Sequence, residues 1–219
     1  MIKAFIFDWG NVLHLIDQDG FIKEMAERYS VDYHTLREVE REARHAMDAG
    51  FMSTEKYIAE IENSCGIKID AREYHQIFFS KYVTLNYPLI EYIRNLNDKK
   101  LKKRYYLVLL SNNNPPFYEF MKKRTRFEKM FDKILISYQH KMKKPDPRFY
   151  RKALEGTRIK PEECLYVDDR NDLAKAAKKL GMHPIVYTTF EQFLKEVRKF
   201  AINGNRSQNQ DRHHKQFKG

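Results

Sequence analysis

The residues best suited to chemistry in this chain stand directly after short apolar runs. Asp8 ends the run FIF, and the paired acids Asp168 and Asp169 end the run CLYV. Ser111 and Asn112 follow the run YYLVLL in the same way. A carboxylate can act as a nucleophile or hold a divalent cation, and hydroxyl and amide groups can donate to an anion. The pattern therefore favours a site that binds a phosphate, a metal ion or both.

Five apolar runs predict the strands that would position these residues. Helical stretches separate the runs, as expected for parallel strands that are buried on both faces. The segment CLYVDDRNDLAKAAKKLGMHPIVY contains one unit in full: a strand, a polar loop, a helix, a glycine stop and a second strand. The predicted fold class is α/β, a three-layer, Rossmann-like core with a five-stranded parallel sheet. Its strands are expected at residues 3–7, 105–110, 133–136, 164–167 and 184–187.

Ligands of an open parallel α/β sheet bind beyond the carboxyl ends of its strands. The polar residues named above stand at such ends, and Ser137 follows a further strand. Lys144 comes next, in the sequence KKPDPRFY, where Pro145 and Pro147 hold the loop extended. We expect Lys144 to face the acids across this edge. The acids could instead cap the helices that follow them, which is a common role of aspartate.

Residues 14–88 differ from the rest of the chain. Amphipathic helical periodicity runs through FIKEMAERY, TLREVEREARHAM, TEKYIAEIENS and AREYHQIFFSKYV, and Ser53 is placed to cap the third of these helices. No strand signal interrupts them. We therefore predict a helical cap domain at residues 14–88, inserted into a catalytic core made of residues 1–13 and 89–202. Residues 203–219 are polar and low in complexity and are predicted to form a disordered basic tail.

The net charge of +11 is unevenly distributed. Residues 14–88 carry nine Lys/Arg against fourteen Asp/Glu, a net charge of −5, so the remaining residues carry +16. Aromatic residues are not interleaved with the basic runs, which disfavours a nucleic-acid partner, and a basic body suits a small anionic substrate. No apolar run approaches the roughly 20 residues of a membrane helix. Cys65 and Cys164 show no metal or disulfide spacing, which favours a cytoplasmic protein.

Four segments together resemble a known enzyme family. FDWGNVL, LLSNNN, KKPDPRFYRKAL and LYVDDRNDLAKAAKKLGM occur in this order, with the helical insert after the first. They are similar to motifs I to IV of the haloacid dehalogenase superfamily of hydrolases, across residues 1 to about 190. Within it the chain resembles the phosphatases with a small helical cap, especially the glucose-1-phosphatase-like branch. The resemblance implies a phosphoric monoester hydrolase acting on a small phosphorylated metabolite, such as a sugar phosphate, as a monomer or homodimer.

The resemblance also implies roles for the site residues. Asp8 would attack phosphorus and form an aspartyl-phosphate that water then hydrolyses. Mg²⁺ would be held by the Asp8 carboxylate, the Gly10 carbonyl and Asp169, with Asp168 as a further ligand or as support for one.

The remaining implied roles concern the phosphoryl group. The Ser111 hydroxyl would donate to a phosphoryl oxygen, with Asn112 assisting. Lys144 would bridge the nucleophile and the phosphoryl group and stabilise the charge of the transition state.

The first motif departs from that of most phosphatases of the superfamily. They carry a second aspartate two residues after the nucleophile, which protonates the leaving oxygen, and this chain has Gly10 there. Loss of a general acid costs about 10² to 10⁴ in rate, which a good leaving group such as a sugar 1-phosphate would offset. His14 could substitute for the acid or could lie at the cap hinge. Leu173 also departs from the pattern, since the branch commonly has asparagine there.

Two alternative functions remain open from the sequence. A haloacid dehalogenase needs no metal, but two acids beside Asp8 would repel its anionic substrate, so the VDDR sequence favours the phosphatase. The chain could also be a catalytically weak member of the family with a binding or regulatory role, an interpretation that Gly10 leaves open. Substrate choice would come from the cap, where we interpret Tyr57 and Phe51, like Trp9 in the first motif, as core residues.

Overall fold

A computed structural model describes residues 1–96 and 105–200 of the chain. Within these ranges the strands are β1 (Ala4–Phe7), β2 (His14–Ile16), β3 (Val83–Leu85), β4 (Tyr106–Ser111), β5 (Lys133–Ile136), β6 (Cys164–Asp168) and β7 (His183–Val186). The α-helices are α1 (Gln18–Tyr29), α2 (Tyr33–Asp48), α3 (Thr54–Cys65), α4 (Ala71–Lys81), α5 (Tyr87–Leu96), α6 (Pro115–Thr125), α7 (Ser137–His140), α8 (Pro147–Lys152) and α9 (Asn171–Lys179). Residues 190–200 are also helical.

The predicted five-stranded parallel sheet is confirmed, with the strand order β5-β4-β1-β6-β7. The first strand, β1, lies at the centre and pairs in parallel with β4 on one side and with β6 on the other. Its alternate side chains supply opposite faces of the sheet. Phe5 and Phe7 belong to one buried apolar cluster, and Ala4 and Ile6 belong to another. Because both faces are covered by apolar side chains, the strand is a continuous apolar run rather than an alternating one.

The four helices predicted between the first and second sheet strands are present as α1 to α4. Asp17, Asp32, Ser53 and Asp70 cap their amino termini, each accepting a hydrogen bond from a backbone N–H of the first turn. The helices enclose an apolar cluster of their own, which contains Phe21, Leu36 and Ile61 among others. We call residues 14–88 the insert; its division from the core stays a prediction.

No strand interrupts the four helices, as expected, but the two ends of the insert form strands that the sequence did not predict. β2 and β3 pair antiparallel, with His14 opposite Leu85 and Ile16 opposite Val83, and form a two-stranded ribbon. The ribbon joins both ends of the helical segment to the core. Each strand has three residues, which is too short for an alternating pattern to stand out in the sequence.

The remaining sequence expectations concern the tail and membrane association. The predicted disordered tail, residues 203–219, lies outside the described residues. Within residues 1–96 and 105–200, no helix is both long and apolar enough to cross a membrane. Cys65 and Cys164 are free thiols.

Candidate active site

The carboxyl edge of the sheet brings the strand-end residues together. Phe7 of β1 is in register with Leu109 of β4 and with Val167 of β6. The carboxyl ends of the central strand and its two neighbours therefore meet at one edge of the sheet. Asp8 lies at this edge after β1, Ser111 at the end of β4 and Asp168 at the end of β6. This is the clustering that the sequence predicted. It follows from parallel strands that all end on the same side.

Lys144 joins two of these acids. Its Nζ lies 2.8 Å from Oδ1 of Asp8 and 2.7 Å from Oδ2 of Asp168, and its side chain is fully buried. Burial alone would lower the pKa of Lys144, but the two carboxylates outweigh it and hold the pKa above its usual value. Lys144 is therefore a fixed cation between Asp8 and Asp168, and its predicted role toward the phosphoryl group stays a prediction.

Asn112 holds the backbone at Lys144. Its Nδ2 donates to the Lys144 carbonyl at 2.9 Å, and its Oδ1 accepts from the Lys144 N–H at 2.8 Å. The amide side chain thus pairs with the Lys144 backbone as a neighbouring strand would, and it fixes the position of the backbone from which the lysine side chain extends. The predicted assistance of Asn112 in binding a phosphoryl group stays a prediction, and positioning of Lys144 is the contact that the side chain makes.

Ser111 has the surroundings expected of a group that binds a ligand. The residue is 1% exposed, and its Oγ makes no hydrogen bond with any described residue. A buried hydroxyl without a partner costs on the order of 1–3 kcal/mol. A phosphoryl oxygen at this edge would satisfy it.

The three acids are close enough to share a cation. Asp8, Asp168 and Asp169 each offer a carboxylate oxygen, and these oxygens lie within 4.8 Å of one another. Oxygen ligands in this number suit Mg²⁺, which keeps several of its waters. Three carboxylates around the single ammonium of Lys144 leave an excess of negative charge, which a divalent cation would offset.

The two paired acids have different surroundings. Both oxygens of Asp168 are engaged: Oδ2 accepts from Lys144 and from the Tyr166 hydroxyl, and Oδ1 accepts from the Arg170 N–H. Asp169 is only partly buried, and its Oδ2 accepts from Asn11 at 3.1 Å. Among the described residues, Asp169 accepts a side-chain hydrogen bond on Oδ2 alone, so its Oδ1 is available to a metal, whereas Asp168 is placed to orient Lys144.

Burial controls the protonation of the candidate nucleophile. It raises the pKa of Asp8 to about 6, with Lys144 opposing the shift and Asp168 adding to it. Burial likewise raises the pKa of Asp169, against the hydrogen bond from Asn11. These values describe the site without a cation, and a bound cation would favour both ionised carboxylates.

The acids open into a cavity of about 380 Å³ between the sheet edge and the insert. The core contributes Asp8, Gly10, Asn112, Lys144 and Asp169 to its wall. The insert contributes polar side chains that sequence reasoning did not single out: Glu40, Arg44, His45, Asp48, Tyr74 and His75. A signal for one of them exists in the sequence, because Glu40 stands at helical spacing between the buried apolar residues Leu36 and Ala43.

The structure shows the surroundings of His14 and Leu173, whose roles the sequence left open. His14 is fully buried against Trp9 and Phe117, does not line the cavity, and has its pKa lowered to about 3 by burial. It is therefore unsuited to replace the missing general acid. Leu173 is buried and lines the cavity.

The core interpretation holds for two of the three aromatic residues. Trp9 and Tyr57 are buried, although Tyr57 also faces the cavity. Phe51 is 74% exposed, so its interpretation as a core residue was wrong. It lies in the turn after α2, where the chain leaves the apolar cluster of the insert.

Comparisons with known proteins agree with this geometry. The family model of haloacid dehalogenase-like hydrolases matches residues 2–181. D-ribitol-5-phosphate phosphatase of Bacteroides thetaiotaomicron is 25% identical over 189 residues, which cover 83% of this chain and 89% of the relative.

Solved structures show the same fold. A HAD-like family hydrolase from Porphyromonas gingivalis superposes with a TM-score of 0.76 at 21% identity, covering 92% of this chain and 98% of that one. A HAD family enzyme of Bacteroides thetaiotaomicron, solved with magnesium and inorganic phosphate, gives a TM-score of 0.72 at 21% identity, covering 87% and 96%.

Proposed function

Because this chain belongs to the haloacid dehalogenase-like hydrolases, we propose that it is a Mg²⁺-dependent phosphatase of a small phosphorylated metabolite, such as a sugar or alditol phosphate. The observation that carries the proposal is the buried Asp8–Lys144–Asp168 contact, with Asp169 beside it and the unpartnered Ser111 hydroxyl on the same edge. The similarity to an alditol phosphate phosphatase supports the substrate class.

The site residues fit Mg²⁺. The Asp8 carboxylate, the Gly10 carbonyl and Asp169 would hold it, and Asp168 would act beside them by fixing Lys144. When bound, the ion would reduce the repulsion between the Asp8 carboxylate and an anionic phosphate monoester. The related enzyme solved with magnesium and phosphate supports this choice of ion.

The proposed reaction has two phosphoryl-transfer steps. An oxygen of Asp8 attacks phosphorus, and the bond from phosphorus to the leaving oxygen breaks, which gives an aspartyl-phosphate. Water then attacks phosphorus and breaks its bond to Asp8, releasing inorganic phosphate and restoring the carboxylate. In both steps Lys144 and Ser111 would face the phosphoryl oxygens and stabilise their charge.

Proton transfer to the leaving group has no donor at position 10. Gly10 offers only its backbone, and His14 is buried away from the cavity. Position 10 therefore supplies no proton, and the leaving group departs unprotonated or takes its proton from water or from another group of the cavity. A leaving oxygen of lower basicity, such as the anomeric oxygen of a sugar 1-phosphate, is the kind that such a site would handle fastest.

Phosphate release from a panel of monoesters tests the proposal. Wild-type protein should release phosphate from at least one of them with Mg²⁺ and lose this activity in EDTA, and Asp8→Asn should abolish it. Asp169→Asn should weaken the dependence on Mg²⁺. Asp172→Asn is the matched control, because Asp172 is an exposed acid on the same segment that pairs with Arg170. If wild-type protein releases no phosphate with Mg²⁺, the enzyme interpretation is wrong and the regulatory alternative gains.

A further inference from the structure

The insert end of the cavity carries a polar cluster among aromatic walls. Glu40 and Arg44 come from α2, Tyr57 from α3 and Tyr74 from α4, and all four line the cavity that contains Asp8. We call these residues the insert cluster. Because three helices converge on it, its geometry is fixed by the apolar packing of the insert.

The contacts of the cluster centre on Glu40. Its Oε1 accepts from Nε of Arg44 at 3.0 Å and from the hydroxyl of Tyr57 at 3.2 Å. The hydroxyls of Tyr57 and Tyr74 lie 3.2 Å apart. Oε2 of Glu40 accepts no hydrogen bond from the residues that the structure describes. One carboxylate oxygen is therefore left for a ligand.

Burying charged and polar groups in such a cluster costs free energy, which a role in ligand binding would explain. Burial raises the pKa of Glu40, while Arg44 and Tyr57 oppose the shift and favour the ionised form. The Arg44 side chain is 32% exposed, so this ion pair is only partly buried, and such pairs add little to stability. The surrounding helix faces are already apolar, with Leu36 and Met47 on α2. Stability alone thus gives little reason for an ion pair on this wall.

The charges define which chemical group would fit. Glu40 and Arg44 together carry no net charge, and they offer an acceptor beside donors. The nearest further acid to Arg44 is Asp48, whose Oδ2 lies 3.8 Å from a terminal nitrogen of Arg44. Glu40 and Asp48 would repel a second phosphate, and Arg44 would repel an ammonium group. A neutral hydroxyl both donates and accepts and so matches the cluster.

The size and walls of the cavity limit the ligand further. The volume of about 380 Å³ lies at the lower end of the range typical of small-molecule sites, which suits a phosphate ester of a short carbon chain. Phe21, Phe78 and Phe79 supply apolar surface for the C–H groups of that chain.

We propose that the insert cluster is the subsite that selects a neutral, polyhydroxylated leaving group, with Glu40 and Tyr57 as its specificity-determining residues. This inference rests on the proposed phosphatase function, since the phosphate must lie at Asp8 for the leaving group to reach the cluster. It assigns substrate choice to hydroxyl recognition in the insert, whereas the core recognises only the phosphoryl group.

Three substrates separate these roles in wild-type protein. D-ribitol 5-phosphate and n-pentyl phosphate both lose a primary alkoxide from a five-carbon chain, and they differ in the hydroxyl groups that this chain carries. We expect kcat/KM to be at least about 100-fold higher for the alditol, because a site built to bind hydroxyls rejects an analogue that lacks them. p-Nitrophenyl phosphate has no hydroxyl group on its leaving group, so it reports phosphoryl transfer without hydroxyl recognition.

Two variants and a control test whether Glu40 and Tyr57 recognise the hydroxyl groups. Glu40→Gln and Tyr57→Phe should each lower kcat/KM for the alditol by about 10-fold or more and lower it for p-nitrophenyl phosphate, which offers the cluster no hydroxyl, by a clearly smaller factor. Glu38→Gln is the matched control, because Glu38 is exposed on the same helix and does not line the cavity.

The outcomes distinguish the subsite from the phosphatase itself. Equal kcat/KM for the alditol and pentyl phosphates in wild-type protein refutes the subsite without any variant. Equal losses on the alditol and on p-nitrophenyl phosphate in both variants refute it as well, because a structural role would act on both. Phosphate release from none of the three, with Mg²⁺ present, and from no other monoester of the panel refutes the phosphatase function and the subsite with it.

Discussion

Replacing Gly10 by aspartate restores the acidic side chain that two-aspartate phosphatases carry at this position. A Cβ placed on Gly10 would meet no heavy atom within 4 Å, apart from its chain neighbours, and Gly10 is not among the residues with positive φ. Gly10 also lines the cavity beside Asp8. The backbone and the space therefore both accept a side chain there, and Gly10→Asp should fold normally.

The expected gain follows from the need of the leaving oxygen for a proton. A positioned general acid contributes about 10² to 10⁴ in rate, which corresponds to roughly 3 to 5 kcal/mol of the activation barrier. The gain should appear with an alkyl monoester such as D-ribitol 5-phosphate, whose alkoxide is a strong base. p-Nitrophenolate leaves without protonation, so the kcat for its ester should change little.

The assay is the ratio of kcat for the alkyl ester to kcat for p-nitrophenyl phosphate, measured with saturating Mg²⁺. Gly10→Asp should raise this ratio by about 10² to 10⁴. Gly10→Asn is the control, since it adds the same volume without an acidic proton, and it should leave the ratio unchanged. Equal ratios in the two variants would refute the reasoning, because the proton would then come from another group.

Three further predictions concern the stability of the site and of the insert, each measured by urea unfolding in EDTA. Lys144→Met leaves two buried carboxylates without their cation and should lower the free energy of unfolding by about 3–5 kcal/mol at neutral pH; an unchanged value would mean that the acids are solvated. Gly50→Ala places a Cβ 2.4 Å from the carbonyl of Tyr138, where the insert docks on the core, whereas Gly156→Ala has a similar positive φ but open space. The first should therefore destabilise more than the roughly 1–2 kcal/mol of φ strain that limits the second, and equal losses would contradict the close approach. Asp48→Asn removes a carboxyl whose pKa burial raises to about 6. Since the ionised form is the disfavoured one, this carboxyl lowers wild-type stability as pH rises from 4 to 7, by on the order of 3 kcal/mol. The variant should lack this part of the pH dependence, and identical profiles for the two proteins would contradict the burial argument.

The core of the site was predictable because its residues follow from strand ends. Buried parallel strands are continuous apolar runs, so β5 was predicted with its exact bounds and the other four sheet strands within one residue at each end. Once the strands are parallel, Asp8 and Asp168 must share an edge. The position of Lys144 was predicted from its place after β5, but its two ion pairs required the structure.

The remainder depends on contacts between residues that are distant in sequence. Asn112 fixes the backbone of Lys144 across 32 positions, and nothing local to either residue indicates that pairing. Glu40 meets Tyr57 across 17 positions because α2 and α3 pack side by side. His14 is buried because the β2–β3 ribbon places its ring against Phe117, and no local sequence feature indicates this contact.

Charge balance assigns the two ends of the cavity to different tasks. The core end holds three carboxylates and one buried ammonium, so it gains from a divalent cation and from the phosphate that the cation attracts. At the insert end Arg44 is flanked by Glu40 and Asp48, so this end offers no excess positive charge to a second anion. Gly10 lies on the core wall of the same cavity and adds no charge to either end. A second aspartate at position 10 would increase the negative charge of the core end, and its absence leaves departure of the leaving group dependent on the substrate. Selection of that leaving group by the insert then matters more for the rate than it would in a two-aspartate enzyme, because the chemistry at Gly10 cannot compensate for a poor one.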